Sequence, residues 1–591
     1  MTRAGIFIGV DQTGNLQKLH DAAAGATRMH EWALGQGMAD KERAILITDA
    51  GGQKVRADDI YEAVTSLLDG AGVDQLIVYF AGHGVTINRR ERWLLTDAPR
   101  NASAAVNVTG SAEAARLCGA RHVVFISDAC RVAPDGIQAQ NVQGIEIFPN
   151  ESTSDRSRPV DQFFACVVGS TAAEIKDPAV AASGFSALYT DALLDGLKGL
   201  HAEILDGPSE ENDTALYVKP PKLEQYLERE VPARVMKRGL AAKVNQNPDA
   251  ILTVHPYWLS RIDKLPSSQR RIRVTRSARV TAPPVETART LTDDMVQSVI
   301  AGRTSLRQEL ERMTAAGVPS VAPVVQTAQE VAAPFGPDHM ETKCGIKVRG
   351  ARVTGAWCTR AKCWIGDLRD LVWVDDALPE PAATVLVTFE DQTGALVPAI
   401  KDFIAALTFE DGELVDVSYE ISQNTWRWEI PEYRQRAAEV RDLRAVAAAA
   451  SRHGRFRLDD DTAMKIAKRM QISKGVDPTL AVYAAYAYHD VQANERITDM
   501  SRYLREDLGI TLFDVALLAR NLVDRKISAA DRVVPFLPLL GQGWALLGAH
   551  RVRLPDQVQG IQTTVRDSLW SLYDERGCEL LKQVIDAREV L

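Results

Sequence analysis

From residue 4 to about 200 the chain alternates short apolar runs with amphipathic stretches. AGIFIGV (4–10), RAILITD (43–49), DQLIVYFAG (74–82), HVVFISDA (122–129) and FFACVVGS (163–170) each read as a buried strand. Between them LQKLHDAAAGATRMHEWALGQG (16–37), ADDIYEAVTSLLDGAG (57–72), SAEAARLCGA (111–120) and FSALYTDALLDGLKG (185–199) have helical spacing. The second helix opens with acidic residues and ends in glycine, matching the polarity of a helix. Apolar strands alternating with amphipathic helices predict an α/β fold with a mainly parallel sheet and helices on both faces. Ligands bind such sheets at the carboxyl ends of the strands.

The pattern continues to about residue 260 with a helix (LEQYLEREVPARVMKRG, 223–239) and a strand (AILTVHPYW, 250–258). It then changes. RRIRVTRSARVTAPPVETART (270–290) is basic and then Pro- and Thr-containing, which suits a connector. A helical piece follows (293–317), and VPSVAPVVQTAQEVAAPFGPD (318–338) reads as a second linker. IKVRGARV, DLVWVDD, ATVLVTFED and ELVDVSYEIS alternate as strands do; the remainder is helical. The expected organisation is an α/β domain over 1–262, a linker with a helical segment over 263–340, a small β-rich module over 341–428 and an α-helical domain over 429–591.

Composition narrows the class. The 591 residues are 46% hydrophobic and 25% charged, as in a soluble globular protein. A net charge of -9 argues against a general nucleic-acid binder, and the arginines of 270–279 read as a solvated linker. Seven cysteines without regular spacing form no disulfide framework and fit a reducing compartment. The apolar run after the N-terminal MTRAG is short for a signal peptide, and no segment has the ~20 apolar residues of a membrane span. A cytoplasmic protein without a membrane partner is expected.

Two strands end on reactive side chains. YFAGHG places His83 between glycines, and SDACR places Cys130 after Asp128. A cysteine–histidine pair supplies the nucleophile and the proton donor for amide hydrolysis, and an adjacent imidazolium favours the thiolate. Glycines flanking the histidine permit close backbone approach and unhindered N–H donors. On these two motifs, the 47-residue step from His83 to Cys130, WLLTDA (93–98) and ASGFSALYTDALL (182–194), the segment from about 4 to 255 resembles the caspase–metacaspase superfamily of cysteine peptidases. Asp128 stands where caspases have glutamine, and Val132 where they have glycine. The D-x-C-x-S-G of metacaspases lacks its serine–glycine here, so the motif is similar to a bacterial D-A-C-R variant.

The resemblance implies a caspase-like sheet with Cys130 as nucleophile, His83 as general acid/base, and the N–H groups of Gly84 and Cys130 as the oxyanion hole. It implies that Asp128 lines the primary specificity pocket, with Asp21 and Asp11 as candidates for a second acid. An acidic pocket selects cleavage after Arg or Lys, so the expected partners are proteins exposing those residues. Ala81 replaces the serine that many metacaspases carry before GHG. The polar stretch 140–162 lies where caspases have their intersubunit linker, which makes Arg156 a self-cleavage candidate; Arg158 is followed by Pro159, and RRIRVTRSAR is a second such region. The resemblance also implies zymogen-type regulation through the C-terminal region, an upstream activator bound there, and a setting in bacterial stress or antiviral signalling. It allows a calcium requirement, as in many metacaspases.

Other readings stand beside this one. Cys118 and Cys166 fall on core elements and read as packing residues. His339, Cys344, Cys358 and Cys363 are spaced 5, 14 and 5 apart without a C-x2-C pair, which argues against structural zinc. LAVYAAYAYHD (480–490) is apolar on nearly every side and reads as a buried helix. A catalytically silent scaffold with the same fold would not need His83, Gly84 and Cys130 together. A CHAT-type peptidase shares the histidine–cysteine order, but commonly follows a helical-repeat region instead of preceding one.

Overall fold

The computed structural model describes the chain apart from residues 133–141, 150–157, 166–177, 208–214, 238–247, 264–287, 336–342, 376–380, 423–429, 453–459, 524–532, 588–591 and a few gaps of one or two residues. It divides into two compact units, Met1–Pro283 and Pro284–Leu591.

The first unit opens with β1 (Arg3–Gly9), α1 (Ala22–Gly35), β2 (Ala44–Thr48), α2 (Ala57–Asp69) and β3 (Gln75–Ile87). Next come β4 (Arg90–Leu94), β5 (Ala105–Asn107), α3 (Val108–Ala115), β6 (His122–Val132), β7 (Val160–Phe164) and α4 (Pro178–Leu197). β8 (Leu205–Asp206), β9 (Leu216–Val218), α5 (Pro220–Lys237), β10 (Asp249–Ile251) and β11 (Ser260–Ile262) complete it. The main sheet has the order β10-β7-β6-β3-β1-β2, with β4 on β3 and β5 on β4. The β7-β6-β3-β1-β2 pairings are all parallel.

Both faces of this sheet are covered, as the continuous apolar strands predict. Along β3, Ile77, Tyr79 and Ala81 pack with α1, α4 and α5, while Leu76, Val78 and Phe80 pack with α2 and α3. The two-residue period of a strand thus divides one apolar run between two cores. β3 was expected to end at Gly82 but runs on to Ile87, because β4 turns back and pairs with it from Gly84↔Trp93 to Ile87↔Arg90. α1 starts at Ala22 rather than near residue 16. The intervening loop is occupied in capping: Asp11 Oδ1 accepts from the N–H groups of Ala22 at 2.9 Å and Ala23 at 3.1 Å.

In the second unit β12 (Gly345–Arg349), β13 (Val353–Cys358), β14 (Cys363–Ile365), β15 (Leu371–Val374), β16 (Ala382–Phe389), β17 (Gly394–Ile400), β18 (Phe403–Glu410) and β19 (Glu413–Ile421) form two sheets. Their orders are β14-β15-β12-β18-β19 and β13-β16-β17, the latter extended by the strand Leu572–Tyr573. One apolar cluster reaches from Leu291 to Ile585. The β-rich and helical segments, set apart in the sequence reading, therefore share a core. The stretch read as a second linker holds the helix Ala322–Ala332, which buries Val324, Val325, Ala328 and Val331 on one face. Its Pro323 sits in the first turn, where no backbone N–H is needed, so proline does not mark a break there. The stripe at 480–490 is buried from Leu480 to Tyr488. Among the described residues no helix is long and apolar enough to cross a membrane.

Candidate active site

The parallel ladder between β3 and β6 is regular from Gln75↔His122 to Val85↔Val132, and it sets His83 opposite Cys130. Both were expected at the carboxyl end of their strands; the strands run on past them, to Ile87 and Val132. What ends is the flanking sheet. β1 accompanies β3 only as far as Gly9↔Ala81, and β4 takes over from Gly84↔Trp93. β7 accompanies β6 only to Ser127↔Phe164. His83 and Cys130 therefore occupy the changeover at the carboxyl edge, where doubly covered sheets open to ligands. His83 is half-buried. Gly84 is registered both to Arg131 and to Trp93, so its backbone lies between two strands.

Strand parity assigns a face. Tyr79 and Ala81 on β3, with Val124 and Ile126 on β6, pack in the core shared with α1 and α4. Asp128 and the positions of His83 and Cys130 have the same parity and fall on that face. Asp128 is buried and accepts a hydrogen bond from the Thr190 hydroxyl of α4. Tyr79 Oη lies 2.5 Å from Thr190 Oγ1. With Asp128 ionised, the relay runs from the Tyr79 hydroxyl through Thr190 to the carboxylate. Burial pushes the Asp128 carboxyl well above its ordinary range, against the Thr190 hydrogen bonds and the Arg28 guanidinium. Burial, then the nearby Asp128, raises the Tyr79 phenol. Arg28 itself is paired with Asp191 at 2.6 Å. Tyr79, Thr190, Arg28 and Asp191 were not singled out in the sequence, since only the α1–α4 packing brings them to Asp128.

The other candidates divide. Asp11 is engaged as the cap of α1, while Asp21 precedes that helix without a side-chain capping bond. Arg156 and the RRIRVTRSAR segment lie outside the described residues, as do Cys166 and His339. Among the described residues, Cys344, Cys358 and Cys363 do not bring three sulfurs within 4.8 Å of one another.

A second polar cluster lies at the opposite, amino edge of the sheet. One ligand atom each from His122, Asp161 and His255 falls within 4.8 Å of the others. Its hydrogen bonds decide its character. Arg3 Nε donates to Gln75 Oε1 at 2.8 Å, so the Gln75 amide nitrogen faces His122 Nδ1, at 2.9 Å. The Tyr257 N–H donates to His255 Nδ1 at 3.1 Å. Both rings thus carry their proton on Nε2 and donate to Asp161 Oδ2, at 3.0 Å and 2.8 Å. Protonated Nε2 atoms cannot ligate a metal, and the cluster ties β3, β6, β7 and the 253–258 loop together. Burial lowers the His122 imidazole against the pull of Asp161. Burial would raise Asp161, but the hydrogen bonds from His122 and His255 hold it at about 2.

Residues 6–237 match the family model described as the caspase domain. That match and the sheet order together make the first unit a caspase-like fold, and they support membership of the caspase-like superfamily, whose members are cysteine peptidases. No curated protein matches the chain. Among solved structures, the crystal structure of protein GSU0716 from Geobacter sulfurreducens is similar at 14% identity, covering 44% of this chain and 98% of that chain with a TM-score of 0.28.

Proposed function

We propose that the chain is a cysteine endopeptidase in which Cys130 is the nucleophile and His83 the general acid/base, cleaving proteins after Arg or Lys. The observation that carries this reading is the His83↔Cys130 register at the changeover of the sheet. The Cys130 sulfur attacks the scissile carbonyl carbon, and the electron pair moves to the oxygen. His83 gives its proton to the amine as the C–N bond breaks, which leaves the acyl group on the sulfur. A water then loses a proton to His83 as it adds to the acyl carbon, and the C–S bond breaks to release the acid and return the Cys130 sulfur. Backbone N–H groups of Gly84 and Cys130 serve the oxyanion, and for Gly84 this requires its N–H to turn out of the ladder.

Asp128 supplies the specificity in this reading. Burial raises the Asp128 carboxyl, and an incoming guanidinium favours its ionised form, because the cation lowers its pKa. Asp21 lies nearer to availability as the second acid than Asp11, whose carboxylate is used on α1. Self-cleavage after Arg156 and control of the peptidase by the C-terminal region belong to the same reading.

The test is cleavage of fluorogenic peptides ending in Arg, Lys or Asp, with calcium or chelator, beside Cys130→Ala. Turnover after Arg that disappears in the variant is the expected result. Turnover after Asp overturns the role of Asp128. Turnover that survives in Cys130→Ala overturns the nucleophile. Intact mass after incubation reads self-cleavage, and an unchanged mass in an active preparation rules it out.

A further inference from the structure

Asp128 is a buried acid on a strand, and some group must set which way its carboxyl faces. The terminal torsion of an aspartate is broad, so the backbone alone does not fix it. The residue directly across the ladder is Ala81, whose side chain offers no hydrogen bond. The partner comes instead from a helix: the Thr190 hydroxyl of α4 donates to Asp128 Oδ2.

Thr190 is itself held. A hydroxyl has one proton to give, and here it goes to Asp128. Its oxygen accepts in turn from the Tyr79 hydroxyl on β3, 2.5 Å away. Tyr79, Asp128 and Thr190 are 0%, 3% and 1% exposed, so bulk water does not compete for these groups. The helix beside them leaves room. A Cβ on Gly25 of α1 would stand 3.2 Å from Tyr79 Oη and 3.7 Å from Thr190 Oγ1. Glycine weakens a helix interior relative to alanine, and at this place it lets both hydroxyls fit against α1. Next to Thr190, Asp191 pairs with Arg28 of α1 at 2.6 Å, which joins the two helices at the level of the relay.

We infer that Thr190 is a specificity-determining positioning residue: through its hydroxyl, steadied by Tyr79, it holds the Asp128 carboxylate oriented for the guanidinium or ammonium group of a substrate. This rests on the reading of Asp128 as the pocket acid. A carboxylate fixed before the ligand arrives gives up no torsional freedom on binding. Its charge-assisted hydrogen bond to the cation also keeps the geometry on which its strength depends. Thr190 acts through Asp128, so it governs which substrate is selected and leaves the reactivity of the thiol to Cys130 and His83.

The experiment labels Cys130 in the full chain with two kinds of reagent and reads the rate at that residue by peptide mass spectrometry. An arginyl chloromethyl ketone reaches the sulfur with its side chain in the pocket, whereas iodoacetamide has no such side chain. The ratio of the two rates separates the pocket from the thiol. Thr190→Val keeps the shape and removes the hydroxyl, and the ratio should fall roughly 10- to 100-fold, the worth of a hydrogen bond to a charged group. Thr190→Ser restores the hydroxyl and should restore the ratio. Tyr79→Phe should lower it about two- to tenfold, since a neutral hydrogen bond is lost. Should Thr190→Val fail to fold, Tyr79→Phe carries the test, and a ratio unchanged there overturns the proposal. A loss in Thr190→Val that Thr190→Ser does not repair also overturns it, because a role in packing alone behaves that way. A parent chain that prefers the arginyl reagent over an aspartyl one, with the preference intact in Thr190→Val, overturns the role of Thr190 and leaves the pocket standing. A parent chain with no such preference removes the basic-specific pocket itself, and this role with it.

Discussion

Asp128→Asn is the most informative single change. Asparagine keeps the shape and an oxygen acceptor for Thr190, but it removes the ionisable group from a fully buried position. An imperfectly paired buried polar group costs about 1–3 kcal/mol, and a charged one more. The variant should therefore gain on the order of 1–3 kcal/mol at pH 7 by that measure, or roughly 2–10 °C in melting temperature for a unit of this size. The sign depends on pH. The folded-state pKa of Asp128 is raised above the unfolded value of about 4, so its neutral form is the one the fold favours. Its contribution to stability is fully present below pH ~4 and is lost as pH rises toward the folded pKa. The advantage of asparagine should thus appear at neutral pH and vanish in acid. Activity should move the opposite way. Losing the partner of a desolvated guanidinium costs about 2–5 kcal/mol, a fall of roughly 30- to 5000-fold in kcat/KM for peptides ending in Arg. Scanning calorimetry from pH 4 to 8 and paired peptide kinetics read the two effects. A variant that is less stable at pH 7 and still selective for Arg refutes the pocket role.

Four further outcomes follow from the packing. Asp161→Ala leaves His122 and His255 donating into an empty buried space, and should cost about 1–3 kcal/mol for each unsatisfied N–H in urea unfolding. In the parent chain His122 has a lowered folded pKa, so stability present above pH ~6.5 should decline as pH falls below that value. Asp161, at about 2, should add a further loss as pH drops from ~4 toward 2; an acid titration that is flat from 7 to 5 would contradict the His122 assignment. In the second unit Arg444 is buried against Asp477, the Tyr419 carbonyl and Glu420, and Asp477→Ala should destabilise by about 3–5 kcal/mol, measured by denaturant melts. Gly9→Ala would place a Cβ 2.6 Å from Ala22 O and from Ala23 Cα, forcing α1 away from β1 at a cost of about 1–3 kcal/mol, read as a lower melting temperature.

Local pattern carried a large part of this protein. Apolar runs bounded by glycine and polar residues are enough to mark doubly covered strands, because burial on both faces removes the need for polar positions. That argument located β1, β2, β3, β6 and the helices between them. It also drew attention to His83 and Cys130 at the ends of the apolar runs, although the strands themselves continue past them to Ile87 and Val132. Pattern failed where the signal was weak or shared. The helix Ala322–Ala332 was read as linker because proline and small residues serve connectors and first turns alike. The common core of the β-rich and helical segments was invisible because it depends on contacts between residues more than a hundred positions apart.

The sequence by itself determined the alternation of elements, the two motifs and the residue types able to do thiol chemistry. Tertiary structure alone decided the rest. It set the register of His83 with Cys130, the burial of Asp128 under Thr190, and the convergence of His122, Asp161 and His255. Periodicity is a property of neighbouring residues and is written along the chain. Register, burial and hydrogen-bond partnership are properties of distant residues, and they exist only once the sheet has been assembled and its faces covered.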